Sequence, residues 1–160
     1  MKTRKELYQE ICTKLEPLVT SGALKFVDLN KGQLSRPDKT YPITFPSVLI
    51  QTDAVRYSHM VENRVEGDAT VTLIIAFNNY NESFVGAANK QDSENLLDLL
   101  DSIIEAMIYT RGDNFTDMHL SQEQFLPYTF NGLNVHQITF TTNTYHKLKE
   151  NATIRITSGA

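Results

Sequence analysis

Two runs in the middle of the chain alternate between apolar and polar positions. From Ser47 onward, Val48, Ile50, Thr52, Ala54 and Arg56 fall on one side of a pleat, and Leu49, Gln51, Asp53, Val55 and Tyr57 on the other. Further on, Val71, Leu73, Ile75 and Phe77 alternate with Thr70, Thr72, Ile74 and Ala76. A period of two, rich in β-branched residues, is the pattern of a strand with one face buried. Glu62-Asn63 and Glu66-Gly67-Asp68 lie between the runs and suit a turn, so residues 47–79 are predicted to form a central antiparallel hairpin.

Two other segments carry the helical period. In the first, predicted over Thr3 to about Thr20, Leu7, Ile11, Leu15 and Leu18 form one apolar stripe that Tyr8 and Cys12 widen. Pro17 removes a helical N–H and crowds the turn before it, so a kink or an early stop is expected there, with Ser21-Gly22 closing the helix. The second runs from about Ser93 to Arg111. Its apolar face contains Leu96, Leu97, Leu99, Leu100, Ile103, Ile104, Met107 and Ile108, and Asp98, Asp101, Ser102, Glu105 and Tyr109 lie opposite. Asp92 or Ser93 would cap it, and Gly112 would supply the left-handed stop. A face this wide calls for a sheet to lie on.

The remaining segments complete the order. Ala23–Leu29 reads as a short strand, and Gln33–Pro46, with Pro37, Pro42 and Pro46, as an extended loop. That loop is either a meander packed down by Tyr41, Ile43 and Phe45 or an interaction arm. Gln124–Phe130 and Leu133–Tyr145 flank Asn131-Gly132 and predict a second hairpin, while Gly112–Ser121 reads as a loop. Ala152–Ile156 is strand-like but set apart by Lys147-Leu148-Lys149-Glu150, and it could pair within its own chain or with a neighbour. Together these predict one domain over 1–160, with a core over 1–146 and a short extension over 147–160. The fold class is α+β: a mostly antiparallel sheet of four to five strands with two main helices packed on it.

Composition narrows the function. The net charge of -4 argues against a protein that binds nucleic acid by neutralising phosphates. A single cysteine, Cys12, permits neither an internal disulfide nor a cysteine-rich zinc site. Charges at Glu6, Glu10, Lys14 and Glu16 interrupt the N-terminal segment, so it is read as neither a signal peptide nor a membrane span. Phosphate-loop, dinucleotide, nucleophile-elbow and zinc-protease signatures are absent. Pro37-Asp38 lacks the acidic-x-Lys partner that a nuclease signature needs. His59, His119, His136 and His146 have no metal-ligand spacing. The nearest approach to acid–base or metal chemistry is His59 with Glu62 or Asp53, which would suit a small metal-dependent hydrolase; the alternative is a surface histidine beside a turn carboxylate. No catalytic, metal or cofactor residue is therefore assigned. Phe84, Val85 and Phe115 are apolar residues in polar loops, and Ile154 and Ile156 lie in the detached run; these five are the candidate interface residues.

The arrangement as a whole resembles the small tail-terminator and tail-completion (minor tail) proteins of long-tailed bacteriophages and prophages. The resemblance is carried by the helix ELYQEICTKLEPL, the strand ending VDLNKGQL, the segments YPITFPSVLIQ and GDATVTLIIAFNN, the Leu-rich helix and the closing hairpin. It covers about Leu7 to Tyr145, and Phe45–Ile50 and Gly67–Phe77 match best. It implies a non-enzymatic virion-assembly protein without cofactors. Such a protein would form a homo-oligomeric ring, often a hexamer, that caps the tail tube and presents a surface to the head-completion protein. The resemblance also implies assembly in the bacterial host cytoplasm followed by residence in the virion tail, with no membrane and no specific nucleic-acid binding. An acidic balance agrees with a channel that lets DNA pass without gripping it. Another head-tail connector or neck protein is the alternative within the same class.

Overall fold

A computed structural model describes residues 3–35, 43–59, 64–78, 84–126 and 133–147. Its elements are α1 (Thr3–Thr20), β1 (Phe26–Leu29), a 3-10 turn (Gln33–Ser35), β2 (Ser47–His59), β3 (Arg64–Phe77), α2 (Lys90–Met107), β4 (His119–Leu126) and β5 (Asn134–Lys147). The five strands form one sheet in the order β1-β2-β3-β5-β4. Only the short β1 runs parallel to its neighbour; β2–β3, β3–β5 and β5–β4 are antiparallel. The fold is thus α+β, with two helices on a mostly antiparallel sheet. Tyr41, the Asn131-Gly132 turn and the run Ala152–Ile156 lie outside the described residues.

Both helices cover the same sheet face. Leu7, Ile11 and Leu15 of α1 and Leu99, Leu100, Ile103 and Met107 of α2 meet Val48, Ile50, Val71, Leu73, Ile75, Ile138 and Phe140 in the main core. Burying each such side chain contributes roughly 1.5–3 kcal/mol, so the stripe read from the sequence of α1 is enough to dock it. The helix continues through Pro17 to Thr20 because Thr13, Lys14, Glu16 and Pro17 are all exposed, and water can satisfy the carbonyl that proline leaves unpaired. Gly22 then takes a positive φ, and the Leu24 amide donates to the Leu18 carbonyl.

The opposite face is apolar at one end only. There Leu34, Leu49, Ile74, Ala76 and Val135 are joined by Phe26, Ile43, Phe45, Leu126 and Leu133. Ile43 and Phe45 at the end of the predicted Gln33–Pro46 loop thus pack down here, and residues 36–42 of that loop lie outside the described residues. Towards the other end the same face is laced by polar groups. Asn30 Nδ2 donates to Gln51 Oε1 (2.6 Å), Gln51 Nε2 to Asp53 Oδ1 (2.5 Å) and Thr72 Oγ1 to Asp53 Oδ2 (2.5 Å).

Three local departures from the sequence pattern have identifiable causes. The strict alternation of β2 breaks where Thr52 pairs with Val71 and Val55 with Ala69, so Asp53 and Ala54 together oppose Thr70. This bulge inverts the faces beyond it. Val55 and Tyr57 join the helix-covered face, and Arg56 leaves the side it was predicted to share with Val48. The Tyr57 ring consequently lies over Gly67, where a Cβ would approach its Cδ1 to 2.7 Å, and beside His146 at a centroid distance of 5.5 Å. Secondly, α2 ends at Met107 and not at Arg111. Tyr109 adopts φ 61 and donates to the Met118 carbonyl (2.9 Å) while the Met118 amide donates to Thr110 (2.8 Å), so pairing with the chain leading into β4 sets the stop. Gly112 serves close approach instead, because a Cβ there would collide with the Phe115 ring and the Glu6 carboxylate. Thirdly, β4 starts at His119, within the predicted loop, where pairing with Thr141 of β5 begins; every residue up to Phe125 is exposed, so no buried period marks the strand in the sequence.

Ile103 is fully buried at the centre of the α2 face, whereas Ile104 is only partly buried at its margin. Ile103→Ala is expected to lower stability by about 2–5 kcal/mol, and Ile104→Ala by clearly less. Chemical denaturation of the two variants checks this; equal losses would mean that α2 is rotated from the docking described.

Candidate interaction surface

The residues singled out for chemistry are dispersed. Asp53 has both carboxylate oxygens occupied, one by Gln51 and one by Thr72, which itself lies 3.3 Å from the Thr139 hydroxyl. It thus laces β2 to β3 and β5 across the open face. His59 closes β2, and Glu62 lies outside the described residues. Among the described residues no three of His, Cys, Asp and Glu cluster as metal ligands. Cys12 is half-buried against the core on α1. His136 lies 3.3 Å from the Glu123 carboxylate, and the His119 and Tyr109 rings stand nearly perpendicular with centroids 6.0 Å apart.

Two polar contacts fix α1 to the sheet end. Glu6 accepts hydrogen bonds from the backbone amides of Asp113 and Asn114 and from the Asn114 side chain, and so tethers the loop after α2. Thr3 Oγ1 lies 2.8 Å from His146 Nδ1, within a buried site. Burial, and then nearby positive charge including that of Arg4, holds the His146 imidazolium below the ordinary histidine range.

An apolar groove lies at the other end of the helix layer. Leu96, Leu97 and Leu100 of α2, Phe77 of β3, Phe125 of β4 and His136 of β5 line a groove of ≈ 570 Å³. Leu97 is 60% exposed and Phe125 51%, large values for residues of their size. Leu97 belongs to a helix face wider than the sheet beneath it covers, and Phe125 to the edge strand beside it. A Lys90–Glu94 ion pair (3.3 Å) stands at the rim. The groove adjoins β4, whose outer edge pairs with no strand among the described residues. A register shift between Leu120 and Gln122 bends the first part of β4, while Gln122–Leu126 remains regular and contains neither proline nor lysine. Such an edge is open to pairing. The opposite edge strand, β1, has only four residues.

The candidate interface residues are distributed unevenly. Phe84 (63% exposed) and Val85 (93%) stand in solvent in the turn before α2. Phe115 is 2% exposed, forms a bridge with Thr144 and belongs to the main core, so it is not available as surface. Ile154 and Ile156 lie outside the described residues. Sequence reasoning did not single out Leu97 or Phe125. The available signal was the presence of apolar residues at both 96 and 97 as well as at both 99 and 100. Among the described residues, no helix is long and apolar enough to cross a membrane. No known family model matches the chain, and no curated protein matches it either.

His146 couples stability to pH. Its folded-state affinity for protons is lowered, so the unfolded chain binds more protons as pH falls past the ordinary histidine value of about 6.5. The stability associated with the neutral ring is therefore complete above that value and declines as pH falls towards the folded-state pKa. Thermal unfolding followed from neutral to mildly acidic pH should show a falling midpoint, and His146→Gln should flatten that decline. An unchanged slope in the variant would assign the decline to other groups.

Proposed function

We propose that this chain is a structural virion-assembly protein of the tail-terminator kind, whose copies close into a ring on the tip of a tail tube. The supports are the resemblance carried by the segments from Leu7 to Tyr145 and an α+β fold of the class read from those segments. The observation that carries the reading is the exposed apolar groove at Leu97 and Phe125 beside the regular edge of β4, which pairs with no strand among the described residues. Exposed apolar surface next to an open edge is a combination that monomeric proteins guard against and assembling proteins use. A head-to-tail contact built on these two features joins different surfaces of identical subunits, and it closes when the rotation per subunit divides a full turn.

In this reading the chain performs no reaction and holds no cofactor. Its activity is geometric: one ring face stops addition of further tube subunits and the other receives a head-completion protein. A neck or connector protein of the same class would share the ring and differ in its axial partners.

Light scattering coupled to size exclusion should show a discrete closed oligomer of the full chain at high concentration, with six subunits by analogy with the family. When tube protein polymerises in the presence of the chain, electron microscopy should show shortened tubes with a cap at one end. Tubes of unchanged length and without caps would contradict the terminator role.

A further inference from the structure

We propose that the groove between α2 and β4 receives the C-terminal segment around Ala152–Ile156 of a neighbouring copy, added as a strand on the open edge of β4; this rests on the assembly reading above. On an extended strand, Ile154 and Ile156 point to the same side and Thr153 and Arg155 to the other. The side chains of β4 that face the helix layer, Phe125 and Glu123, pair with His136 and Ile138 of β5. A strand added outside β4 would continue that layer, with alternate side chains directed over Phe125 towards Leu97.

Reach favours a neighbour's tail over the chain's own. Phe125 pairs with His136 near the start of β5, whereas the described chain leaves β5 at Lys147, eleven positions further on. At about 3.3 Å per residue the two ends are about 36 Å apart. Ile154 and Ile156 follow Lys147 by seven and nine positions. A fully extended chain of at most ~3.6 Å per residue brings them no further than about 25 Å and about 32 Å. Within its own chain Ile154 therefore falls short of Phe125 by about 11 Å and Ile156 by about 4 Å, before any lateral offset is counted. A neighbouring copy has no such restriction.

The two surfaces are also complementary in charge. The segment from Lys147 to Ile156 carries Lys147, Lys149 and Arg155 against Glu150. The exposed side of α2 carries Asp92, Glu94, Asp98, Asp101 and Glu105 against Lys90. Leu97 stands between Glu94 and Asp101, three and four positions away on the same helical strip. A basic, alternating strand thus meets an apolar groove bordered by an acidic helix, and the opposite charges favour encounter and set direction.

The test uses a synthetic peptide of residues 148–160 as probe and the full chain carrying Ile154→Asp and Ile156→Asp as acceptor, so that no intact tail competes. Fluorescence anisotropy should show saturable binding, weakened at least tenfold when Leu97→Asp or Phe125→Ser is added to the acceptor. Both positions are more than half exposed, and circular dichroism establishes that each variant is folded. A second arm mixes the tail variant with a Leu97→Asp chain whose tail is intact. Each then retains one half of the contact, so the mixture should form a discrete dimer and nothing larger. Absence of peptide binding, equal binding to the groove variants, or a mixture that stays monomeric would overturn the proposal. If tubes are capped but the peptide does not bind, this contact fails and the terminator reading stands. If the peptide binds but tubes remain uncapped, the reverse holds.

Discussion

Strand β3 is paired along both edges, with β2 on one side and with β5 over its whole length on the other, and the positions of all other elements follow from that double pairing. Val71, Leu73, Ile75 and Phe77 present one apolar row to α1 and α2. Ile74 and Ala76 present a second row to the opposite side, but only over the last part of the strand. The sheet is consequently buried on both faces at the end near Phe77 and on one face at the end near Arg64. At the two-sided end the 3-10 turn and Phe26, Ile43 and Phe45 complete the packing. Elsewhere on the open face the Gln51–Asp53–Thr72 lacing takes over, since polar groups at these part-buried positions need partners.

The same asymmetry leaves the groove. Strand β5 lies over the core through Ile138 and Phe140, but β4 beyond it carries no buried face, and α2 does not extend across it. The helix keeps an apolar strip at Leu96 and Leu97 with no sheet fully beneath it, and Phe125 stands across the gap. An edge of this kind costs the isolated subunit exposed apolar area and unpaired backbone groups. An added strand relieves both at once, because pairing satisfies the backbone and alternate side chains fill the groove.

Much of this fold was legible in the sequence wherever one period acted alone. The α1 stripe at Leu7, Ile11 and Leu15 and the central hairpin follow from spacing because each buries a single face against one partner. The β2 bulge was not legible: alternation continues through Asp53 and Ala54 in composition, and only the pairing register with β3 shows the inversion. The stop of α2 at Tyr109 is set by a hydrogen bond to Met118, a tertiary contact that overrides the local preference for Gly112. Phe115 sits in a polar stretch, yet Glu6 of α1 folds its loop onto the core, a contact spanning more than a hundred positions. The candidate surface was half legible. Phe84 and Val85 are exposed, but Leu97 was merged into a face whose width only the sheet could limit.

The central claim is that subunits join through the open edge of β4. Hydrogen–deuterium exchange of the full chain, compared at dilute and assembling concentrations, reads that edge directly, because added-strand pairing protects outward-pointing amides. Protection should rise with assembly over Gln122–Leu126 and remain unchanged along β3, whose amides are already paired within the subunit. An oligomer that forms while Gln122–Leu126 exchange at the dilute rate would contradict the account.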